Sequence, residues 1–267
     1  MKDIIAAFMF FTRLPLWRIC TVPSDSFKRI VAYWPLTGIL TGTLMTAVYM
    51  LAIYLNFHAI IAVILAFVSR LLLTGALHED GLADFFDGFG GGRSREQVLT
   101  IMKDSHIGSY GVLGLVVYAL LWISTMFMLV QLFKGDEFIV FLTCDIWSKW
   151  CASQIINLLP CARKEEESKI KEIYDRMSLV RFIIGLIFGL IPFIYLIFLN
   201  IYKSDANYFI ATKIILVCAI APIMTMLLLT LYIKRRINGY TGDCCGAIFL
   251  LCELSFILTL YCLWNFL

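Results

Sequence analysis

Long apolar stretches alternate with short polar ones along the chain, and the apolar stretches are long enough to cross a membrane. A membrane-spanning α-helix needs about 20 apolar residues. We therefore predict an all-α, polytopic membrane helix bundle with about seven transmembrane helices. The predicted spans run approximately over residues 35–57, 59–77, 108–133, 138–159, 179–201, 208–233 and 246–267.

The N-terminal segment has a different pattern. Residues 6–11 form a short apolar run that ends before Arg13, and no small-residue cleavage site follows it. We predict a short amphipathic segment at the membrane surface and not a cleaved signal peptide. No internal repeat or linker divides the chain, so we expect a single integral membrane domain over residues 1–267, with an active-site loop at about 78–108.

The composition agrees with a membrane protein. Hydrophobic residues make up 61% of the chain and charged residues 15%, with a mean hydropathy of +0.88. Soluble domains have an apolar share of about 45–50%. The net charge of +3 is small, and it gives no indication of nucleic-acid binding.

The distribution of positive charge predicts the orientation in the membrane. Lysine and arginine are frequent before the first predicted span and after the second, fourth and sixth spans; the last of these segments holds Lys234, Arg235 and Arg236. Such residues are concentrated in cytoplasmic loops. We therefore expect a multi-pass protein of the cell membrane with its N-terminus and active site in the cytoplasm.

An acidic cluster interrupts the apolar pattern at residues 77–92, which read LHEDGLADFFDGFGGG. On a helix, Asp80, Asp84 and Asp87 stand at i, i+4 and i+7 and share one face, while Glu79 lies about 100° away from Asp80. Carboxylates so close together repel each other unless a cation neutralises them. Oxygen ligands suit Mg²⁺, so we predict these four side chains as metal ligands. The alternative is that they only cap helix ends at the membrane surface.

The loop after the cluster supplies basic residues. The three glycines at 90–92 end the helix, and Ser94 with Gln97 fits a capping box that begins a short helix. A carboxylate cluster flanked by cations and glycines is typical of phosphoryl transfer. The predicted phosphate contacts are Arg93, Arg95 and Lys103. The predicted catalytic residues are Asp104, Asp84 and His78. For Asp104 a solvated helix end, and for His78 an interface position, remain alternatives.

Two further polar groups stand out. Asp145 and Lys149 lie at i and i+4 in a predicted span, where a structural ion pair is favoured over a functional ion site. Residues 238–247, which read NGYTGDCCGA, contain Asp243 and follow a basic run. This segment could complete a phosphate pocket or be a plain turn between helices.

The segment over residues 72–115, LLTGALHEDGLADFFDGFGGGRSREQVLTIMKDSHIGSYGVLGL, resembles the signature block of the cobalamin synthase (adenosylcobinamide-GDP ribazoletransferase) family. Lys149 departs from the arginine that is expected in the family, which weakens the case for an anion clamp there. Shorter matches follow the family's order: FFTRLP at 10–15, YWPLTG at 33–38, PCAR at 160–163 and GYTGD at 239–243.

The resemblance implies a membrane transferase of vitamin B12 nucleotide-loop assembly. It would join adenosylcobinamide-GDP to α-ribazole, or to α-ribazole 5'-phosphate, and release GMP in a Mg²⁺-dependent reaction. The acidic cluster would hold Mg²⁺ on the diphosphate, and Arg13 and Asp243 would line the same pocket. The implied partners are these small molecules and the lipid bilayer, with no nucleic acid; self-association and association with other corrinoid-pathway enzymes remain open.

Two other functions remain as alternatives. A CDP-alcohol-type phosphotransferase of lipid head groups also uses aspartates at the membrane edge, but its aspartate spacing differs from HEDGLADFFDG. A membrane transporter would use Asp145 and Lys149 as an ion site. The placement of the polar motifs on one side of the membrane and the absence of a repeated half argue against a transporter.

Overall fold

A computed structural model describes residues 1–133, 135–162, 174–203 and 206–264, and most of this part of the chain is helical. Short 3-10 helices lie at Leu16–Arg18 and Ile30–Tyr33, and no strand occurs in the described ranges apart from one isolated bridge. The predicted all-α class is confirmed. The α-helices are α1 (Lys2–Phe11), α2 (Ser24–Phe27), α3 (Trp34–Tyr54), α4 (Ala59–Thr74), α5 (Leu77–Gly91), α6 (Arg95–Ile101), α7 (Ser109–Leu132), α8 (Glu137–Ser153), α9 (Ile155–Leu158), α10 (Leu179–Lys203), α11 (Ala206–Cys218), α12 (Ile220–Ile237) and α13 (Gly242–Trp264).

Several helices have the length and composition of membrane spans. Within the described ranges, α4 and α5 together make a sixth candidate, although they are bent by 90° relative to each other. The polytopic membrane class is confirmed, while the predicted number of about seven spans is too high by this measure. The five straight candidates are Ile30–Tyr54, Ser109–Leu132, Leu179–Phe198, Thr212–Ile237 and Gly242–Trp264.

The predicted spans at 59–77 and 138–159 account for the difference in number. The first ends at Thr74, because Gly75 (φ 68°) and Ala76 (φ 56°) are both left-handed and turn the chain into α5. The second is shortened to the 17 residues of α8, most of which are buried against other helices. An apolar run of about this length can form either a buried core helix or a membrane span, and its length alone does not distinguish these two possibilities.

The outward faces of the long helices agree with a lipid environment. On α7, Leu113 and Leu120 are 62% and 64% exposed, and Leu228 on α12 is 62% exposed. Large apolar side chains in such numbers are unfavourable in water but not in a bilayer. This surface supports the assignment as a membrane protein.

Glycines allow α3 and α8 to pack closely in opposite directions. A Cβ atom at Gly38 would stand 3.0 Å from the Cα of Ile146, and one at Gly42 would stand 3.1 Å from the Cα of Leu142. Thr41, between these glycines, donates to Asp145 Oδ2 (2.9 Å) and accepts from Lys149 Nζ (2.7 Å), which also pairs with Asp145. The pair is buried and satisfied, in agreement with the structural interpretation of Asp145 and Lys149.

Helix α5 lies between α13 and α7, and its packing positions the acidic cluster. A Cβ at Gly81 would stand 3.1 Å from the Cα of Asp243, and one at Gly246 would stand 3.1 Å from the carbonyl oxygen of His78. These two contacts show that α5 and α13 run in opposite directions. The start of α13 is therefore held beside the acidic residues of α5.

Candidate active site

A cavity of about 260 Å³ lies between α5, the start of α13, α1 and the start of α3. One part of its wall is acidic and consists of Asp80, Asp84 and Asp243. The other part is mostly aromatic. Its aromatic lining residues are Phe10, Phe11, Trp34, His78, Tyr174 and Tyr240. We call this space the first cavity.

A second cavity, of about 550 Å³, adjoins the first. Arg13, Glu79 and Asp80 are its charged lining residues. The two cavities share Phe10, Leu77 and Asp80. Asp80 is thus the carboxylate that borders both spaces, while Asp243 lines only the first cavity and Arg13 only the second. The predicted single pocket for Arg13 and Asp243 is in fact two adjoining cavities.

The turn before α13 contributes the polar end of the first cavity. Thr241 caps α13, because its Oγ1 accepts from the backbone N–H of Cys244 at 3.3 Å. Tyr240 is fixed by hydrogen bonds to the carbonyl of Pro160 (2.9 Å) and from the N–H of Ala162 (2.8 Å). The segment at 238–247 is therefore part of a pocket wall and not a plain turn. The PCAR motif is described as far as Ala162, and Arg163 lies outside the described residues.

Tyr240 supplies a neutral phenol to this wall. Burial raises the pKa of Tyr240 well above its ordinary value, and the nearby thiols of Cys245 and Cys161 act in the same direction. The phenol, which is neutral at physiological pH in any tyrosine, therefore keeps its proton in alkaline solution as well.

Glu79 belongs to a buried network and not to the acidic wall of the first cavity. Arg70 is 0% exposed, and its Nη1 donates to Glu253 Oε1 at 2.6 Å, while its Nη2 lies 3.5 Å from Glu79 Oε1. Tyr118 accepts from Arg70 Nη2 (2.9 Å) and donates to Glu253 Oε2 (2.8 Å). One oxygen of Glu79 thus faces a guanidinium that Glu253 holds more closely, while its Oε2 is buried without a hydrogen-bond partner in the described part of the chain. Its role as a metal ligand stays a prediction.

Asp87 also has a different partner from the one predicted. Its two carboxylate oxygens accept from the backbone N–H groups of Gly108 (2.7 Å) and Gly111 (2.8 Å), at the start of α7. Asp87 therefore caps α7. Within the described ranges, no group of three or more His, Cys, Asp or Glu side chains is arranged to hold a metal. Of the four predicted ligands, Asp80 and Asp84 line the first cavity, whereas Asp87 faces α7 and Glu79 faces Arg70.

Arg95 binds backbone carbonyls, although we predicted a phosphate contact. Its Nε donates to the carbonyl of Ile237 (2.9 Å), and its Nη2 donates to that of Ala162 (2.8 Å). Arg95 thus joins the end of α12 to the segment that pairs with Tyr240. Arg236 makes a related contact to the carbonyl of Gly92 (2.6 Å), at the end of α5. Both arginines hold the loops around the site.

The remaining predicted residues of the loop line neither cavity. Asp104 is exposed and its Oδ1 lies 2.7 Å from Nδ1 of His106, which is also exposed. Lys103 is exposed and lines neither cavity. Arg93 lines a separate surface depression with Glu96, beside α6. The cap of α6 is as predicted, since Ser94 Oγ accepts from the N–H of Gln97.

His78 is brought into the first cavity. It is 3% exposed and lies among the rings of Phe11, Trp34 and Phe249. It lies on the same helix as Asp80 and Asp84, near the aromatic part of the wall. The structure thus brings together Asp80, Asp84, Asp243 and His78, and places Arg13 next to them.

Sequence reasoning missed Glu253 and the aromatic wall. Glu253 lies within an apolar span, and Arg70 within another, so each is an ionisable residue at membrane depth whose partner could have been sought. Trp34 and Phe11 gave no such signal, because aromatic residues in an apolar chain have no distinguishing pattern.

Comparison with known proteins identifies the family. The profile of the cobalamin-5-phosphate synthase family matches residues 3–261. A protein of Leptospira interrogans named adenosylcobinamide-GDP ribazoletransferase is 34% identical over 266 residues, which cover 97% of this chain and 95% of the relative. Proteins of the same name from Leptospira biflexa and Shewanella sp. W3-18-1 are also 34% identical, over 90% and 96% of this chain and 87% and 92% of theirs. No solved structure matches the chain.

Proposed function

Since the chain belongs to the cobalamin-5-phosphate synthase family, we propose that its two cavities bind the two substrates of the family's reaction on either side of Asp80. The activity is that of an adenosylcobinamide-GDP ribazoletransferase in cobalamin synthesis. The family match does not favour the lipid phosphotransferase or the transporter.

The shared wall of the two cavities carries this proposal. A transfer between two substrates requires that both reach one point, and Asp80 borders both spaces. The nucleoside α-ribazole, or its 5'-phosphate, occupies the first cavity. The diphosphate of adenosylcobinamide-GDP extends from the second cavity, where Arg13 contacts its nonbridging oxygens, past Asp80 to the carboxylates of the first cavity. Arg93, Arg95 and Lys103 take no part in binding phosphate.

The carboxylates of the first cavity fit Mg²⁺. Asp84 and Asp243 both line it, and carboxylate oxygens are the ligands that Mg²⁺ takes in proteins. Mg²⁺ is generally bound by one or two carboxylates together with substrate phosphates, so a site of three or more protein ligands is not needed. Asp84 and Asp243 would hold the ion. When bound, it would neutralise charge on the diphosphate and on the departing GMP.

Asp80 then serves as the general base. A ribazole hydroxyl oxygen attacks the phosphorus that is bonded to the cobinamide arm, and the bond from this phosphorus to the bridging oxygen of the diphosphate breaks. GMP leaves with that bridging oxygen, and the proton of the attacking hydroxyl passes to Asp80. We assign the general base to Asp80 and not to Asp104, because Asp104 lines neither cavity.

The site faces the cytoplasm in this proposal. The basic ends of several segments meet around it: Arg236 contacts Gly92, Arg95 contacts Ile237, and the N–H of Arg13 donates to Leu73 at 2.7 Å. Segments rich in lysine and arginine are retained on the cytoplasmic side of the cell membrane.

The experiment measures GMP release by the purified protein with adenosylcobinamide-GDP, α-ribazole 5'-phosphate and increasing Mg²⁺. Asp80→Asn is expected to lower kcat by about 10²- to 10⁴-fold, as the loss of a general base does, without changing the Mg²⁺ requirement. Asp84→Asn is expected to raise the Mg²⁺ concentration that gives half-maximal activity.

Asp104→Asn is the matched control, since it removes an acid of the same loop that lies outside both cavities, and it should keep wild-type GMP release. The proposal is wrong if Asp80→Ala and Asp84→Ala both leave Mg²⁺-dependent GMP release unchanged.

A further inference from the structure

Two buried polar atoms in the aromatic wall of the first cavity have no hydrogen-bond partner among the described residues. They are Nε2 of His78 and Nε1 of Trp34. Both side chains line the cavity, are at most 3% exposed, and have ring centroids 5.3 Å apart. Buried polar groups are rarely left without a partner, so this pair requires an explanation.

The chemistry of the two groups limits what could satisfy them. An indole N–H can only donate, and a neutral imidazole can donate from Nε2 in one of its tautomers. Their surroundings are otherwise apolar: Phe11 stacks on Trp34 at 5.1 Å between ring centroids, and Val31 lines the same cavity. The pair therefore suits a flat apolar ligand with an acceptor atom in its ring.

The cavity also limits the size of the ligand. Pockets for drug-sized ligands are generally about 300–1,000 Å³. At about 260 Å³ the first cavity has room for a small aromatic ring system, but not for a corrinoid.

We propose that the aromatic wall of the first cavity binds the benzimidazole base of ribazole, and that Trp34 and His78 recognise its unsubstituted ring nitrogen, whose one lone pair their two N–H groups share in a three-centre hydrogen bond. The inference rests on the proposed function, because it takes the nucleoside to be the ligand of this cavity. Benzimidazole has an apolar body and a single ring acceptor, which matches the wall. The ribose hydroxyls then face Asp80 and Asp84. Guanine, with several donors and acceptors on its edge, fits this wall poorly.

The test is equilibrium binding to the purified protein without adenosylcobinamide-GDP. The probes are α-ribazole and an analogue in which indole replaces benzimidazole, so that a C–H stands in place of the ring nitrogen. The wild type is expected to bind α-ribazole about 5- to 150-fold more tightly, because the analogue leaves buried donors unpaired. Trp34→Phe and His78→Phe should each bring the ratio of the two dissociation constants closer to one.

Trp150→Phe is the matched control. The indole Nε1 of Trp150 also has no partner in the described part of the chain, but Trp150 lies on α8 and lines neither cavity. This variant should keep the wild-type ratio. Asp80→Asn should keep it as well, because it alters the transfer step and not the base site, so failure of the proposed mechanism and failure of this inference give different results.

Three outcomes would overturn the inference: a wild type that binds the two nucleosides equally, a Trp34→Phe or His78→Phe variant that weakens both to the same degree, or displacement of α-ribazole by GMP at equal concentration. His78→Gln, which retains a donor, should keep more of the preference than His78→Phe. This comparison separates loss of the hydrogen bond from a general disturbance of the wall.

Discussion

Gly81 on α5 lies directly against the backbone of Asp243 on α13, where a Cβ atom on Gly81 would stand 3.1 Å from the Cα of Asp243. Very few Cβ atoms approach a neighbour so closely, so this crossing depends on glycine. The crossing places Asp243 in the same cavity as Asp80 and Asp84. The glycine between the acidic residues thus assembles the site without chemistry of its own.

Replacement of Gly81 by valine should therefore separate the two helices. We expect Gly81→Val to lose most of the GMP release and to cost about 1–3 kcal/mol of stability, the usual range for overpacking. Activity and thermal unfolding in detergent measure these effects. Gly91→Ala on the same helix is the control, because its Cβ would meet only Cδ1 of Ile101, at an ordinary 3.4 Å. Equal behaviour of Gly81→Val and the wild type would contradict the role of this crossing.

Asp87 should contribute to stability and not to the metal requirement. Both its oxygens accept from N–H groups at the start of α7, so Asp87→Asn loses one acceptor and the charge. We expect a loss of about 0.5–2 kcal/mol, as for other N-cap replacements, with an unchanged Mg²⁺ concentration at half-maximal GMP release. A raised Mg²⁺ requirement without loss of thermal stability would show instead that Asp87 is a metal ligand.

The sequence predicted the class of fold because length and apolarity alone determine which segments can cross a membrane. It did not predict the bend between α4 and α5, because Ala76 is an alanine, and its left-handed conformation (φ 56°) has no sequence signal. The sequence predicted α8 as a membrane span, because a buried core helix and a membrane span have similar apolar compositions.

Within the site, the sequence located the acidic helix but not the partner of each acid. Helical spacing correctly places Asp80 and Asp84 toward one cavity. Asp87 shares their face by spacing, but it meets α7 because the neighbouring helices differ along α5. Long-range packing decides which neighbouring helix each carboxylate contacts, and the helical periodicity of the sequence carries no information about that packing. Arg95 is a second example: its place after the acidic cluster predicted a phosphate contact, but its side chain binds backbone carbonyls.

Arg95 should be required for the shape of the site. Arg95→Ala removes the hydrogen bonds to Ile237 and Ala162 and leaves two carbonyls in a partly buried position. We expect GMP release to fall with a rise in the apparent KM for α-ribazole 5'-phosphate, because Ala162 fixes Tyr240 in the wall of the first cavity. Steady-state kinetics with each substrate varied in turn measures this.

Arg93→Ala provides the comparison, because Arg93 is exposed, carries the same charge and lines neither cavity. It should leave both KM values unchanged. If Arg93→Ala raised the KM for adenosylcobinamide-GDP, that result would show that Arg93 contacts a phosphate of this substrate.

The network around Arg70 should behave as a buried ion pair whose partners depend on each other. Arg70→Met leaves Glu253 at 0% exposure without its guanidinium, and removal of one partner of such a pair costs about 3–5 kcal/mol. Glu253→Met alone still leaves Arg70 with Glu79 at 3.5 Å, so it should cost less. The double variant should be more stable than the sum of the single losses predicts, because Arg70→Met then leaves only Glu79 without its guanidinium and no longer Glu253 as well. Thermal unfolding of the four proteins in one detergent completes the cycle, and strictly additive losses would show that the two residues are not coupled.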